Sequence, residues 1–167
     1  MNLFVLRHGL AVERTLPAFK RDSDRPLTPP GRKKIVRLAT LLRRLGVSFD
    51  LILTSPYVRA RQTAGVVADI LDTPKALEIS KHLAPGRSFS ALLEELRGRQ
   101  SAPDNVLLVG HEPDLSRFIS LLVTGKRGLP LELKKGGLCK LEIATFRPGP
   151  CATLQWLLPA KVYCELA

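Results

Sequence analysis

Hydrophobic and polar positions follow two alternating rhythms along this chain. Short apolar runs cover residues 2–6, 50–53, 77–79 and 106–109, and the first and last of these carry no charge. Continuous runs of this length suit parallel strands covered on both faces. Between them apolar positions recur at three- and four-residue intervals, which predicts helices near 30–45, 56–71, 88–98 and 114–124. Strand and helix in alternation predict an α/β fold, a three-layer sandwich around a mainly parallel central sheet. Two further strands are expected at 139–146 and 153–158. The segment Arg147-Pro148-Gly149-Pro150 between them reads as a hairpin turn, so at least one strand should run antiparallel.

The stretch 30–45 illustrates the helical reading. At about 100° per residue, Ile35, Leu38, Ala39, Leu41, Leu42 and Leu45 fall on one face. Arg32, Lys33, Arg37, Arg43 and Arg44 fall on the other, with Lys34 near the boundary and Val36 the lone apolar residue among them. No aromatic residues interleave with these cations, so the basic side reads as a solvated face and not as a nucleic-acid surface. The loop 13–30 is rich in charge and proline and long enough to carry a function of its own.

Composition bounds the rest. A chain of 167 residues with 45% hydrophobic content suits one domain, 1–167, with a sizeable core. Cys139, Cys151 and Cys164 form no C-x-x-C pair, so a disulfide framework or structural zinc is not expected, and free thiols in a cytoplasmic protein are. The run 2–6 meets Arg7 too early for a signal peptide, and no stretch approaches the roughly 20 apolar residues of a spanning helix; no membrane association is expected. The net charge of +11 is uneven, because residues 1–61 hold 13 Lys/Arg against 4 Asp/Glu. Such a half suits nucleic acid, a membrane surface or an anionic substrate, and composition does not choose among them.

The chemistry concentrates where apolar strands stop. Phe4-Val5-Leu6 gives way to Arg7-His8-Gly9, Leu51-Ile52-Leu53 to Thr54-Ser55-Pro56-Tyr57-Val58-Arg59, and Leu107-Leu108-Val109 to Gly110-His111-Glu112-Pro113. In a parallel sheet the carboxyl ends of the strands share one edge, where ligands bind. Ser55-Pro56 reads as a helix start, with Ser55 as cap, which would put Arg59 in a first turn favourable to anions. Taken singly, Arg59 and Arg61 would read as exposed helical residues, and His8 as a histidine satisfied at a strand end. Two histidines at one edge also suit a metal, but no carboxylate or cysteine stands beside them in ligand spacing, so neither metal nor cofactor is expected.

Arg7-His8-Gly9, then Arg25-Pro26-Leu27-Thr28 with Gly31, then Ser55-Pro56-Tyr57-Val58-Arg59-Ala60 with Gln62-Thr63-Ala64, then Gly110-His111-Glu112-Pro113 resemble the histidine phosphatase (phosphoglycerate mutase-like) superfamily. The closer resemblance is to its small SixA-like phosphohistidine phosphatases, which lack a large cap. The resemblance implies that His8 attacks phosphorus and is transiently phosphorylated, while Arg7, Arg59 and His111 bind the equatorial oxygens. It implies further that Arg25 reaches in from the long loop, and that Gly9, Ser55 and Glu112 line the phosphate or substrate pocket. Phosphoryl transfer needs positioning and positive charge more than elaborate covalent chemistry, which fits these residue types.

Larger members of the superfamily place an acid after the third strand, in the region matching 79–93. That segment holds no Asp or Glu; it offers Ser80, Lys81, His82, Ser88 and Ser90. An alkoxide leaving group gains from a positioned general acid, whereas a P–N bond breaks readily once its imidazole is protonated. The missing carboxylate favours phosphohistidine, although Glu13, Glu78 or Glu112 could intrude. His82 itself reads as a loop histidine. Leu10 departs from the acidic residue common after the R-H-G in this branch. Lys134-Lys135-Gly136-Gly137 resembles a loop of bacterial relatives that could touch substrate, and reads by itself as a solvated turn. The expected partner is a protein bearing phosphohistidine, a phosphocarrier or phosphotransfer domain, or else a phosphorylated small molecule. A phosphomonoesterase with the same site, and a non-catalytic module binding phosphohistidine or nucleic acid, are the alternatives.

Overall fold

The order in which the strands pair decides where the site lies. The computed structural model describes residues 1–15, 18–99, 102–145 and 149–166. Among them β1 (Asn2–Arg7), β2 (Leu51–Thr54), β3 (Leu77–Ile79), β4 (Asn105–Gly110), β5 (Leu138–Ile143) and β6 (Ala152–Leu158) form one sheet, ordered β3-β2-β4-β1-β5-β6. The first four strands are parallel, and β5 runs antiparallel to both β1 and β6. The antiparallel pairing of the last two strands matches the hairpin expectation, while Phe146, Arg147 and Pro148 of its expected strand end and turn lie outside the described residues.

Helices α1 (Pro29–Arg44), α2 (Val58–Ile70), α3 (Phe89–Arg97), α4 (Asp114–Thr124) and α5 (Ala160–Leu166) complete the layers. Successive strand residues point to opposite faces, and this divides the core in two. Phe4, Leu6, Ile52, Leu107 and Val109 pack beneath α1, α2 and α5. Leu3, Val5, Leu51, Leu53, Val106 and Leu108 pack beneath α3 and α4. The unbroken apolar runs of β1 and β4 follow from this double covering. Each large apolar side chain so buried contributes about 1.5–3 kcal/mol. The result is a three-layer α/β sandwich. Among the described residues no large cap stands over it; α2, β3 and α3, with short turns, make up the connection from β2 to β4.

Helix α1 buries Ile35, Leu38, Ala39 and Leu42, as their angular positions predict. Leu45 departs from that prediction. The helix ends at Arg44, Leu45 becomes the cap residue, and its side chain is 67% exposed. Helix α5 has no counterpart in the sequence reading, because seven residues offer too few positions for a helical period to register. Its Ala160 and Tyr163 are nonetheless buried in the core.

The start of α1 is pinned to the chain that leaves β1. Thr28 Oγ1 accepts from the Gly31 amide at 3.0 Å and so caps the helix, with Pro29 opening its first turn. The Thr28 amide donates to Leu10 O at 2.9 Å. Helix and turn approach so closely that a Cβ on Gly31 would stand 2.1 Å from Leu10 O. That contact is with backbone and cannot be relieved by a rotamer change. Gly31→Ala should therefore destabilise by about 2 kcal/mol or more in denaturant unfolding. Gly65, inside α2 with open space around its Cβ position, offers the opposite case: Gly65→Ala should stabilise by about 0.5–1 kcal/mol.

Candidate active site

Three parallel strands end level with one another. Arg7 pairs with Gly110, and Val109 lies beside both Leu6 and Thr54, so β2, β4 and β1 stop at one edge in that spatial order. The chain beyond each end stays stitched to its neighbour: His8 N donates to Gly110 O at 3.1 Å, and Ser55 N to Val109 O at 2.9 Å. The rings of His8 and His111 consequently lie 5.0 Å apart, centroid to centroid.

His8 is buried, and its two nitrogens have different tasks. Nδ1 lies 2.7 Å from Gly9 O. A carbonyl only accepts, so Nδ1 carries the proton and donates. Nε2 is left with its lone pair, and receives the Nε–H of Arg59 at 3.1 Å. Burial foremost, reinforced by the charges of Arg59, Arg7 and Lys135, lowers the imidazole pKa to about 3 against the opposing pull of the Gly9 hydrogen bond. The ring is thus neutral and nucleophilic at Nε2 at any ordinary pH. Gly9 has other duties in the same turn. Its amide donates to Thr63 Oγ1 at 3.1 Å, and that hydroxyl donates to Arg59 O at 2.7 Å, tying the catalytic turn to α2.

Arg59 lies buried at the second position of α2, its guanidinium facing both histidines. Besides Nε–H to His8, its NH2 group approaches His111 Nδ1 at 3.3 Å. Because guanidinium only donates, His111 Nδ1 accepts, and Nε2 carries the proton toward Ser55 Oγ at 2.8 Å. A hydroxyl both donates and accepts, so Ser55 can exchange roles with Nε2 and let His111 present Nδ1–H to an incoming oxygen. Burial first, then the charges of His8 and Arg59, lower the His111 pKa to about 3.

The structure corrects the expected helix start at Ser55-Pro56. Helix α2 begins at Val58 after the extended residue Tyr57, with no side-chain cap. The Ser55 hydroxyl is turned inward instead, accepting from Tyr57 N at 3.3 Å and meeting His111. Tyr57 stacks under Arg59 at 5.0 Å and sets its ring edge against His111. The solvated-turn reading of Lys134-Lys135-Gly136-Gly137 also needs revision. Its lysines are exposed, but Gly136 is buried and donates to Arg7 O and His8 O, both at 3.1 Å. Gly136 has φ +76°, and a Cβ there would meet Tyr163 Oη at 2.8 Å, so the turn must close this way.

The other expected residues separate. Arg7 NH1 donates to Leu133 O at 3.0 Å while its buried Nε has no protein partner among the described residues, leaving the guanidinium beside the site with donors to spare. Glu112 accepts from Ser116 Oγ at 2.6 Å through Oε2, its buried Oε1 has no protein partner among the described residues, and burial raises its pKa. Arg25 does not touch the histidines: it donates to Val12 O and doubly to Asp22 Oδ1. Glu13 is exposed, and Glu78 pairs with Arg99 at 2.6 Å.

The carboxylate that does enter the site is Asp22, which the sequence reading passed over. Its Oδ2 accepts from Arg59 NH2 at 2.9 Å and its backbone oxygen from Arg59 NH1 at 2.6 Å. Burial pushes the Asp22 carboxyl up, but hydrogen bonds from Arg59 and Arg25 outweigh it and hold the group below its ordinary value. Asp22 is therefore ionised, and an anion already rests on the guanidinium that faces the nucleophile. Its place in the charge-rich loop, three residues before Arg25, was the available signal. Among the described residues no group of three or more His, Cys, Asp or Glu is arranged to hold a metal ion.

Two outcomes follow. In the unfolded chain both histidines titrate near 6.5, while in the fold both lie near 3. Between those values the unfolded chain binds protons that the folded one refuses, so the stability from this pair is complete above about pH 6.5 and is lost as the pH falls toward 3. Unfolding followed from about pH 7.5 down to about pH 5 should show proton uptake that falls by up to one proton in His8→Asn. Asp22→Asn should tighten the binding of inorganic phosphate several-fold in calorimetry, since a competing negative charge leaves Arg59; unchanged or weaker binding would mean Asp22 does not compete.

The model of the histidine phosphatase superfamily (branch 1) matches residues 3–84. Phosphohistidine phosphatase SixA of Escherichia coli is 33% identical over 129 residues, covering 75% of this chain and 76% of its own. An uncharacterized protein of Picosynechococcus sp. is 39% identical over 148 residues, 88% of each chain. The solved structure of the protein histidine phosphatase SixA complexed with tungstate superimposes with a TM-score of 0.83 over 100% of both chains, at 26% identity. With its R-H-G turn, its second histidine and its buried arginine at one sheet edge, this chain belongs to the histidine phosphatase superfamily as an enzyme resembling SixA.

Proposed function

We propose that this chain, acting as one domain, hydrolyses phosphohistidine on a partner protein through a phospho-His8 intermediate and without a metal. The observation that carries the proposal is the direction of His8 Nε2: an unprotonated lone pair facing a buried guanidinium, its tautomer fixed by the Gly9 carbonyl. His8 Nε2 attacks phosphorus, the P–N bond to the partner's imidazole breaks, and that imidazole leaves neutral, having been protonated from solvent. Arg59 turns its N–H groups from His8 and Asp22 to the equatorial oxygens, with Arg7 and His111 beside it. Water then attacks phospho-His8, releasing phosphate and restoring the ring. Splitting the hydrolysis into two displacements lowers each barrier, and a ring of fixed donors stabilises the charge that spreads over the oxygens.

The choice of phosphohistidine over a phosphate ester rests on the proton supply. Asp22 is the carboxylate at Arg59, and it is held ionised by two arginines, so it has no proton to give an alkoxide. The segment 79–93 adds no acid. Among the described residues no helix is long and apolar enough to cross a membrane. Arg25, through Asp22, acts on the position of Arg59.

Incubation with a phosphohistidine phosphocarrier protein should release phosphate equally with and without EDTA, and phosphate esters should turn over at least about a hundredfold more slowly. His8→Ala should abolish an acid-labile, base-stable phosphoenzyme. Loss of activity in EDTA would overturn the metal-free reading, preference for esters the substrate, and label on the His8→Ala protein the nucleophile.

A further inference from the structure

Beside the phosphoryl site lies an open groove of about 550 Å³ in which cationic side chains stand around an apolar floor. Arg7, Lys34, Lys134, Lys135 and Lys161 line it, and among the described residues Glu165 is the one acid there. These cations come from β1, α1, the turn after Leu133, and α5, so the cluster exists only in the folded chain. Its floor is apolar, formed by Pro159, Ala160 and Cys164.

Three features give the groove meaning. First, its charges are largely uncompensated. Among the described residues no carboxylate pairs with Lys34, Lys135 or Lys161, and Lys134 reaches only Glu132 at 3.9 Å with both side chains at least 70% exposed. Like charges gathered in a concavity focus a field that attracts an anion. Second, the groove is continuous with the site. Arg7 lines it, and the turn carrying Lys134 and Lys135 is bonded through Gly136 to the backbone of Arg7 and His8. Third, its volume far exceeds that of one phosphoryl group, yet among the described residues no aromatic side chain lines it on which a nucleic-acid base could stack.

We infer that this groove seats an acidic segment of the protein whose phosphohistidine enters the neighbouring site, an inference that rests on the phosphohistidine reading above. The lysines meet carboxylates at the rim while the apolar floor receives the stems of the segment's side chains. Arg7 joins the two anions, with the carboxylates on one side and the transferring phosphoryl group on the other. Docking then supplies selectivity for a protein over a free phosphoramidate, by lowering KM and leaving the chemical step alone.

The test compares two triple charge reversals of equal size. Lys34→Glu, Lys134→Glu and Lys161→Glu together change the groove; Lys33→Glu, Arg43→Glu and Arg44→Glu together change the outer face of α1. With an acidic phosphohistidine protein as substrate, the groove variant should raise KM about tenfold or more at unchanged kcat, and lose most of its salt dependence. Its turnover of the small molecule phosphoramidate should equal that of the unaltered protein. An equal rise in KM for the outer-face variant would reduce the effect to net charge and overturn the inference. So would an unchanged KM in the groove variant, an equal loss on phosphoramidate, or competition by a DNA oligonucleotide that only the groove variant escapes. If the unaltered protein fails to dephosphorylate any phosphohistidine protein while still hydrolysing phosphoramidate, the substrate reading itself fails and the groove assignment with it.

Discussion

A buried guanidinium is costly unless its charge is met, and the catalytic edge of this protein is arranged around meeting that of Arg59. Its donors reach His8, His111 and both the carboxylate and backbone oxygen of Asp22. In the low dielectric of the interior such a group favours neutral imidazoles on one side and an ionised carboxylate on the other. The protonation states of the site therefore form a set. Removing Arg59 would leave Asp22 to Arg25 and the exposed Arg14, and both histidines without the donor that orders their lone pairs.

The supporting structure can be understood as the means of holding that arginine still. Tyr57 lies beneath it, Thr63 links its helix to the Gly9 amide, and Gln62 Oε1 accepts from Leu27 N at 2.7 Å to hold the loop that delivers Asp22. Gly31 lets α1 begin directly against Leu10, which leaves the R-H-G turn little freedom to drift. Rigid placement matters here because fixed donors stabilise a transition state without reorganising when charge develops.

Much of this was legible in the sequence, for a specific reason. β1, β2 and β4 are buried on both faces, so their apolar runs stop sharply where the reactive residues begin, and a parallel sheet brings such ends to one edge. That placed His8, His111, Ser55 and Arg59 together. Asp22 was not legible because its proximity depends on the path of a loop, and no local period encodes a loop path. The inward turn of the Ser55 hydroxyl escaped for a related reason: a Ser-Pro pair has the local chemistry of a helix start, and the neighbouring His111 ring outbid it. The buried Gly136 looked like part of a solvated turn because its lysine neighbours are exposed, and only its bonds to Arg7 and His8 reveal the difference. Arg25 lies in the expected loop, where it bonds Asp22 and not the histidines.

The short bond from His8 Nδ1 to the Gly9 carbonyl has a consequence for regiochemistry. An imidazole offers two nitrogens to phosphorus, giving two isomers of phosphohistidine that differ in their neighbours and in their lability. With Nδ1 committed to a carbonyl of its own turn, the covalent step proposed for His8 can form only the Nε2 isomer. Whichever isomer a partner protein delivers, the enzyme-bound form would be one and the same, so the second, hydrolytic displacement would always begin from a single compound in a single orientation.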